Sequence, residues 1–317
     1  MPKENKEKVI IIGGPTGVGK SAIALDLAKR IGGEVLSADS VQVYKGFDIG
    51  SGKLGPQERE GVVHHFLDHA HPLEDYNVAK YSREVRERVQ EVLDRGKHPI
   101  VCGGSGLYID ALIYNLDFSH SKPDLSLRRD LEELYEEKGL EVLYDKLRDL
   151  DPLSAQNTDA QNPRRVIRAL EIVHQGGQKK AQTHRPRNQD YDFYYFILDR
   201  DRAQLYDRIN KRVDKMLKEG LVQEVEGLIE TYGKAMPALR TIGYKEILAY
   251  LEGDYDLEEA TEEIKKHSRN YAKRQLSWLR REDQGIWIQM EGQSSQEILE
   301  EILHHIHRDE VEDEKNN

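Results

Sequence analysis

The chain has 317 residues, 38% of them hydrophobic and 33% charged, with a formal net charge of −11 at pH 7. That composition excludes a disordered chain, and no apolar run approaches the roughly 20 residues that a membrane-spanning helix needs. The start, MPKENKEKVIIIGG, is charged and runs straight into a short apolar strand, without the hydrophobic region of a signal peptide. A single cysteine, Cys102, permits no internal disulfide. These features read as a cytoplasmic protein with no membrane partner, and Cys102, at the end of an apolar strand pattern, as a buried structural thiol.

The predicted elements alternate at first. Lys8 to Ile12 is a β-branched run ending at glycines, a buried parallel strand. Residues 21–31 have helical periodicity and stop at Gly32-Gly33. A second strand covers Glu34 to Ala38. Tyr81, Val85, Val89 and Leu93 mark a helix, and His98 to Cys102 a third strand that runs into Gly103-Gly104. From Leu127 to about Gly176 the periodicity is wholly helical. Asp192 to Leu198 returns to a strand, followed by a helix over Leu205 to Leu217, three more helical segments to about Glu282, a strand at Ile286 to Gln289 and a helix over Gln296 to Ile306. Strands alternating with helices predict an α/β fold, a parallel sheet flanked by helices, interrupted by a helical insertion. The expected organisation is a core over 1–118, an insertion over 119–190, a return to the core over 191–308 and an acidic tail over 309–317.

Charge is unevenly spread. Residues 161–188 carry Arg164, Arg165, Arg168, Lys179, Lys180, Arg185 and Arg187 against Glu171 alone, and residues 264–281 carry Lys265, Lys266, Arg269, Lys273, Arg274, Arg280 and Arg281 with no carboxylate. Such runs suit a polyanion despite the negative total. The histidines at 64, 65, 69 and 71, and the pair His304 and His307, lack the acidic or cysteine pattern of a metal site and read as structural or surface residues.

Gly14-Pro15-Thr16-Gly17-Val18-Gly19-Lys20-Ser21 matches G-x-x-x-x-G-K-[ST], with a strand before it and a helix after it. The glycines let backbone N–H groups converge on anionic oxygens at a helix N-terminus. Lys20 neutralises a terminal phosphate, and the Ser21 hydroxyl is the usual Mg²⁺ ligand. No strand is expected to end in the apolar run plus Asp that holds magnesium in most P-loop NTPases, the third strand running into Gly-Gly instead, which favours group transfer over ATP hydrolysis. The second strand ends in Asp39-Ser40-Val41-Gln42-Val43-Tyr44. Beyond the carboxyl ends of parallel strands, Asp39 should share the crevice with the phosphate loop, where a carboxylate can accept a proton and Gln42 can read a base edge.

These segments, together with IGSGK at 49–53, GGSGLY at 103–108, NPRRVIRALE at 162–171, RINKRVDKML at 208–217, LRTIGYKE at 239–246 and KRQLSWLR at 273–280, resemble the bacterial tRNA dimethylallyltransferases, also called tRNA isopentenyltransferases. The resemblance reaches to about Arg281. It departs at Val18, where many members have serine, and in lacking the zinc-finger tail of eukaryotic relatives.

The resemblance implies a P-loop fold and transfer of a dimethylallyl group from dimethylallyl diphosphate to N6 of the adenosine 3′ of the anticodon. It implies Asp39 as base, Thr16 as a hydrogen-bond partner of the diphosphate, and Arg212, with Arg208 a turn earlier, as diphosphate ligands. Ser105 is expected near the acceptor. The tRNA contacts expected are Asp39, Ser40, Val41, Gln42, Ser105, Arg164, Arg165, Arg168, Arg240, Tyr244, Lys245, Lys273, Arg274, Gln275, Trp278 and Arg280, with Tyr244, Tyr271 and Trp278 as aromatic faces. A monomer is expected. A P-loop small-molecule kinase, a prenyltransferase acting on free adenylate and a non-catalytic tRNA-binding protein are the alternatives.

Overall fold

In the computed structural model, residues 6–116, 118, 124–176 and 186–315 are described. The basic positions 179, 180 and 185 and the side chains of the acidic tail lie outside them.

The chain divides into two compact units, one formed by the segment up to Ile113 and the segment from Gln189 onward, the other by Tyr114–Asn188. The first begins with β1 (Glu7–Gly13), whose residues from Val9 onward are all buried, as a central parallel strand requires. It feeds α1 (Lys20–Ile31), which starts at Gly19 in a left-handed conformation and ends at Gly32. Then come β2 (Gly33–Ala38), the two-residue β3 (His64–His65), α2 (Val78–Asp94), β4 (His98–Gly103) and α3 (Gly106–Ile113). Asn77 caps α2, its side chain accepting from the N–H groups of Ala79 and Lys80.

Sequence periodicity missed α3 for a physical reason. Tyr108 to Ile113 are all buried, so the helix has no polar stripe to alternate with an apolar one. β3 was missed because two residues carry no period. His65 there meets the Glu34 carboxylate at 2.7 Å, and the Arg95 guanidinium reaches the same oxygen at 2.6 Å. These contacts match the structural role expected of His65.

After the second unit the core resumes with β5 (Tyr191–Asp199), α8 (Arg202–Lys218), α9 (Leu221–Tyr232), a 3-10 turn at Pro237–Arg240, α10 (Tyr244–Glu252), α11 (Leu257–Leu279), β6 (Ile286–Gln289) and α12 (Ser295–Lys315). The six strands form one all-parallel sheet in the order β3-β2-β4-β1-β5-β6. Register places Ile12 beside Cys102 and Phe196, and Ala38 beside Gly103. The loops leaving β1, β2 and β4 therefore emerge side by side at the carboxyl edge, where ligands bind in open α/β sheets. Ile10, Ile12, Leu27, Ile100, Phe196 and Ile288 belong to one continuous core. No helix among the described residues is long and apolar enough to cross a membrane.

The second unit is helical, with α4 (Leu125–Lys138), α5 (Leu140–Leu150), α6 (Pro152–Gln156) and α7 (Pro163–His174). Asp124, Asp151 and Asn162 cap α4, α6 and α7 through their side chains, and Pro152 and Pro163 occupy the first turn, where a missing N–H costs nothing. Leu131, Leu143, Leu147, Val166 and Leu170 make its core.

Candidate active site

Three glycines shape the phosphate loop. Gly14, Gly17 and Gly19 have φ of 150°, 80° and 120°, values that side chains resist. Gly17 is also packed tightly, since a Cβ there would lie 2.9 Å from Ile209. The first turn of α1 has neither a side-chain cap nor an acidic residue, so its N–H groups are left for a ligand. Lys20 Nζ donates to the Pro15 carbonyl at 2.9 Å. Burial lowers its pKa to about 8, with Arg212 adding to the fall and Cys102 and Asp39 opposing it. Cys102 is buried, and burial pushes its thiol up to about 11, so it stays protonated at neutral pH.

Asp39 Oδ1 accepts the N–H groups of Val41 at 2.8 Å and Gln42 at 3.2 Å. This turn fixes the carboxylate, and among the described residues Oδ2 has no hydrogen-bond donor. Arg212, on α8, donates from Nη1 to Thr16 Oγ1 at 3.3 Å and from Nη2 to the Ser51 carbonyl at 2.8 Å. Burial pulls its pKa down and the nearby Asp39 opposes that. The guanidinium lies where a Cβ on Gly52 would overlap it. Arg208 Nε donates to the Gly17 carbonyl at 2.9 Å, bracing the phosphate loop from outside.

Two cavities meet here. The smaller, of about 100 Å³, is lined by Lys20, Ser21, Ser37, Gln42, Cys102 and Gln275, among others. The larger, of about 380 Å³, has an apolar wall of Ile209, Val213, Met216, Ile242 and Ile264, and its lining also includes the exposed Arg240, Lys245 and Arg274. Thr16, Asp39, Ser51, Arg212 and Tyr271 line both. Ser40 and Val41 face the larger one. Tyr271 is kept protonated, mainly by burial and then by Asp39, and hydrogen-bonds with Ser105 and Gln275.

Several expected contacts sit elsewhere. Tyr244 is fully buried, its ring 4.7 Å from that of Phe47, and its O–H donates to Glu224 at 2.7 Å, so it offers no aromatic face to RNA. Its burial against Phe47 overrides the aromatic face that the resemblance implies. Gln275 is also buried. Its Oε1 accepts the Thr16 N–H, and its Nε2 donates to the Gly104 carbonyl, both at 2.8 Å. Gln42, expected to read a base edge, uses its amide internally, donating to Ser51 and Gly52 carbonyls and accepting from the Ser37 hydroxyl. Ser105 lines neither cavity; its carbonyl accepts from Tyr108 and Ile109 at the start of α3.

The basic run on α11 is less bare than its sequence. Lys265 pairs with Asp214 and Glu262, Lys266 with Glu263, and Arg269 donates to Asn210. Helical spacing and α8 supply acceptors from outside the run. Lys273, Arg274, Arg280 and Arg281 are exposed, and Arg281 stacks 4.3 Å over Trp278. On the second unit, Arg164 and Arg165 are exposed, whereas Arg168 pairs with Glu171, which Arg128 also clasps with two bonds. An apolar run ending in Asp does occur, at the end of β5, but Asp199 accepts the Arg200 N–H and lines neither cavity.

Sequence reasoning missed Glu224. Its carboxylate accepts the N–H groups of Asp48, Ile49 and Gly50 at 3.1, 2.6 and 3.1 Å. The glycines of GGSGLY are explained by close approach. A Cβ on Gly103 would overlap Ala38, one on Gly104 would overlap Gln275, and one on Gly106 would overlap Trp278.

The family model for IPP transferase matches residues 42–282. A tRNA dimethylallyltransferase of Acetivibrio thermocellus is 43% identical over 95% of this chain and 97% of its own, and one of Carboxydothermus hydrogenoformans is 44% identical over 94% and 96%. The solved full-length tRNA isopentenylpyrophosphate transferase of Bacillus halodurans superposes with a TM-score of 0.74 at 39% identity, covering 98% of this chain and 99% of its own. A eukaryotic dimethylallyltransferase captured acting on tRNA gives 0.72 at 34%, covering 86% and 70%. A phosphate loop on a parallel sheet, a carboxylate beside it and similarity along nearly the whole length converge: the chain belongs to the IPP transferase family.

Proposed function

We propose that this protein transfers a dimethylallyl group from dimethylallyl diphosphate to N6 of the adenosine 3′ of the anticodon in tRNA, giving N6-dimethylallyladenosine and diphosphate. The observation that carries the reading is the wall shared by the two cavities. Thr16, Asp39 and Arg212 stand between a phosphate-loop chamber and a larger chamber bordered by exposed cations.

The diphosphate lies against the phosphate loop. There the N–H groups at the start of α1, Lys20 and Arg212 take up the charge that develops as the C1–O bond breaks. Thr16 O–H, which already accepts from Arg212, donates to the diphosphate. The adenosine enters the larger chamber as an extruded base. Its N6 forms the new bond to C1, the electron pair of the broken bond leaves with the diphosphate, and the N6 proton passes to Asp39. An exocyclic aromatic amine is a weak nucleophile whose proton becomes acidic only as the bond forms, so a carboxylate can take it at that stage. The apolar wall excludes water from the carbon being transferred.

Magnesium fits the smaller chamber. Ser21 lines it with Lys20, and the described residues hold no cluster of three His, Cys, Asp or Glu that would make an all-protein site. The Ser21 hydroxyl would hold such an ion there, beside Lys20. When bound it adds positive charge at the leaving group.

For tRNA, the exposed Arg240, Lys245 and Arg274 suit loop phosphates, and Lys273, Arg280, Trp278 and, on the second unit, Arg164 and Arg165 supply further cationic and aromatic surface. We propose further that the protein works as a monomer in the cytoplasm. The test is incubation with labelled dimethylallyl diphosphate and either unmodified tRNA or AMP. Label is expected on tRNA, abolished by Asp39→Asn with tRNA affinity retained. Label on AMP alone overturns the reading.

A further inference from the structure

The segment 48–52 has no part in the chemistry above, yet it carries the carbonyl that Arg212 rests on. We infer that Glu224 is a positioning residue for Arg212, acting through this segment. The inference rests on Arg212 being a diphosphate ligand.

Glu224 stands in the first turn of α9 and lines neither cavity. Its Oε2 accepts from Asp48 and Ile49, and its Oε1 from Gly50 and from the Tyr244 hydroxyl. Three successive backbone N–H groups turned toward one carboxylate form a concavity of the kind that binds anions, here filled from within the protein. Tyr244 remains a donor because burial, and then Glu224 itself, drive its pKa well up. Its ring also seats the segment, since a Cβ on Gly50 would lie 2.5 Å from Tyr244 Cζ.

The next residue is the one Arg212 uses. The Ser51 carbonyl accepts Arg212 Nη2 at 2.8 Å and Gln42 Nε2 at 3.3 Å, while the Ser51 hydroxyl donates to the Phe47 carbonyl at 2.6 Å. The missing side chain of Gly52 leaves room for the guanidinium. From there Arg212 Nη1 reaches Thr16 in the phosphate loop. A run of bonded groups therefore leads from Glu224 through the amides of residues 48–50 and the Ser51 carbonyl to Arg212. A long arginine side chain gains precision only when its acceptor is fixed, and a misplacement of about 1 Å is enough to slow chemistry. Glu224→Gln keeps the volume but turns one acceptor into an NH₂ donor facing a backbone N–H, so the segment loses its clasp.

The experiment is a double-mutant cycle on the whole protein, read by calorimetric titration with inorganic diphosphate in magnesium chloride. Arg212→Ala is expected to weaken binding about tenfold or more, and Glu224→Gln by about tenfold, one charge-assisted bond's worth. The double variant is expected to be no weaker than Arg212→Ala, because Glu224 acts only through that arginine. Affinity for unmodified tRNA stays at the unsubstituted value in Glu224→Gln. Additive losses, or a Glu224→Gln protein with unchanged diphosphate affinity, overturn the inference. An Arg212→Ala protein that binds diphosphate normally overturns the underlying reading instead. If Glu224→Gln does not fold, Tyr244→Phe enters the same cycle by the same criteria, with a smaller single effect.

Discussion

Gln275 Oε1 accepts the Thr16 backbone N–H at 2.8 Å, across 259 positions of sequence. The same amide donates to the Gly104 carbonyl, also at 2.8 Å. One side chain on α11 thus ties the loop leaving β1 to the turn leaving β4. Helix α11 also carries the exposed cations at 273 and 274, with Arg280 as its C-cap, so the groups suited to RNA and the tie on the phosphate loop share one element.

Gln275→Leu keeps the bulk and removes both bonds. It leaves the buried Gly104 carbonyl unsatisfied, at a cost of about 1–3 kcal/mol, and unties the partly buried Thr16 N–H. The expected result is a lower melting temperature, a raised KM for dimethylallyl diphosphate and a reduced kcat, with tRNA affinity unchanged. A filter-binding assay that shows weakened tRNA binding and normal turnover would return Gln275 to the RNA surface.

Gly106→Ala places a methyl group into the Trp278 ring. The φ of Gly106 is not positive, so the penalty is steric, and overpacking of this kind costs about 1–3 kcal/mol. Denaturant unfolding should show the loss. Because Trp278 is displaced, tRNA affinity should fall more than affinity for inorganic diphosphate.

Lys20 makes the pH dependence predictable. Its pKa in the folded protein, about 8, lies below the ordinary 10.5. The buried ammonium therefore opposes folding in full below pH 8. Between about pH 8 and 10.5 the unfolded chain binds more protons, so stability from this group rises with pH. Lys20→Met should melt higher than the unsubstituted protein at pH 7, with the gap closing over that window, while losing diphosphate binding. In the unsubstituted protein, diphosphate affinity should decline as pH passes about 8, because the free enzyme loses the ammonium. Calorimetry at pH 7, 8 and 9 checks both.

On the second unit, the arginines divide into two kinds. Glu171 is fully buried and holds Arg128 and Arg168, whose side chains are 36% and 32% exposed. Glu171→Ala should destabilise α4 and α7, seen as faster amide exchange, by less than the about 3–5 kcal/mol typical of a wholly buried pair, since both arginines can hydrate. Arg164→Ala with Arg165→Ala should instead leave exchange unchanged, weaken tRNA uniformly and lower the slope of log K against log salt by about 2.

Much of this was legible in the chain itself. The phosphate loop announces itself because its chemistry needs glycines, a lysine and a hydroxyl at fixed spacing along a continuous strand, turn and helix. The longer strands and most helices were legible for the same reason, since their periods are local, and Asp39 could be placed because β2 ends just before it. Tertiary structure decided what local pattern cannot encode. Tyr244 and Gln275 have the look of RNA contacts in sequence, yet both are buried, because exposure depends on which elements pack over a residue. Glu224 shows no motif of its own, since its meaning lies in three amides some 175 positions away. Distant elements meet through geometry, and only the folded chain shows that the clasp on residues 48–50 and the seat of Arg212 are parts of one arrangement.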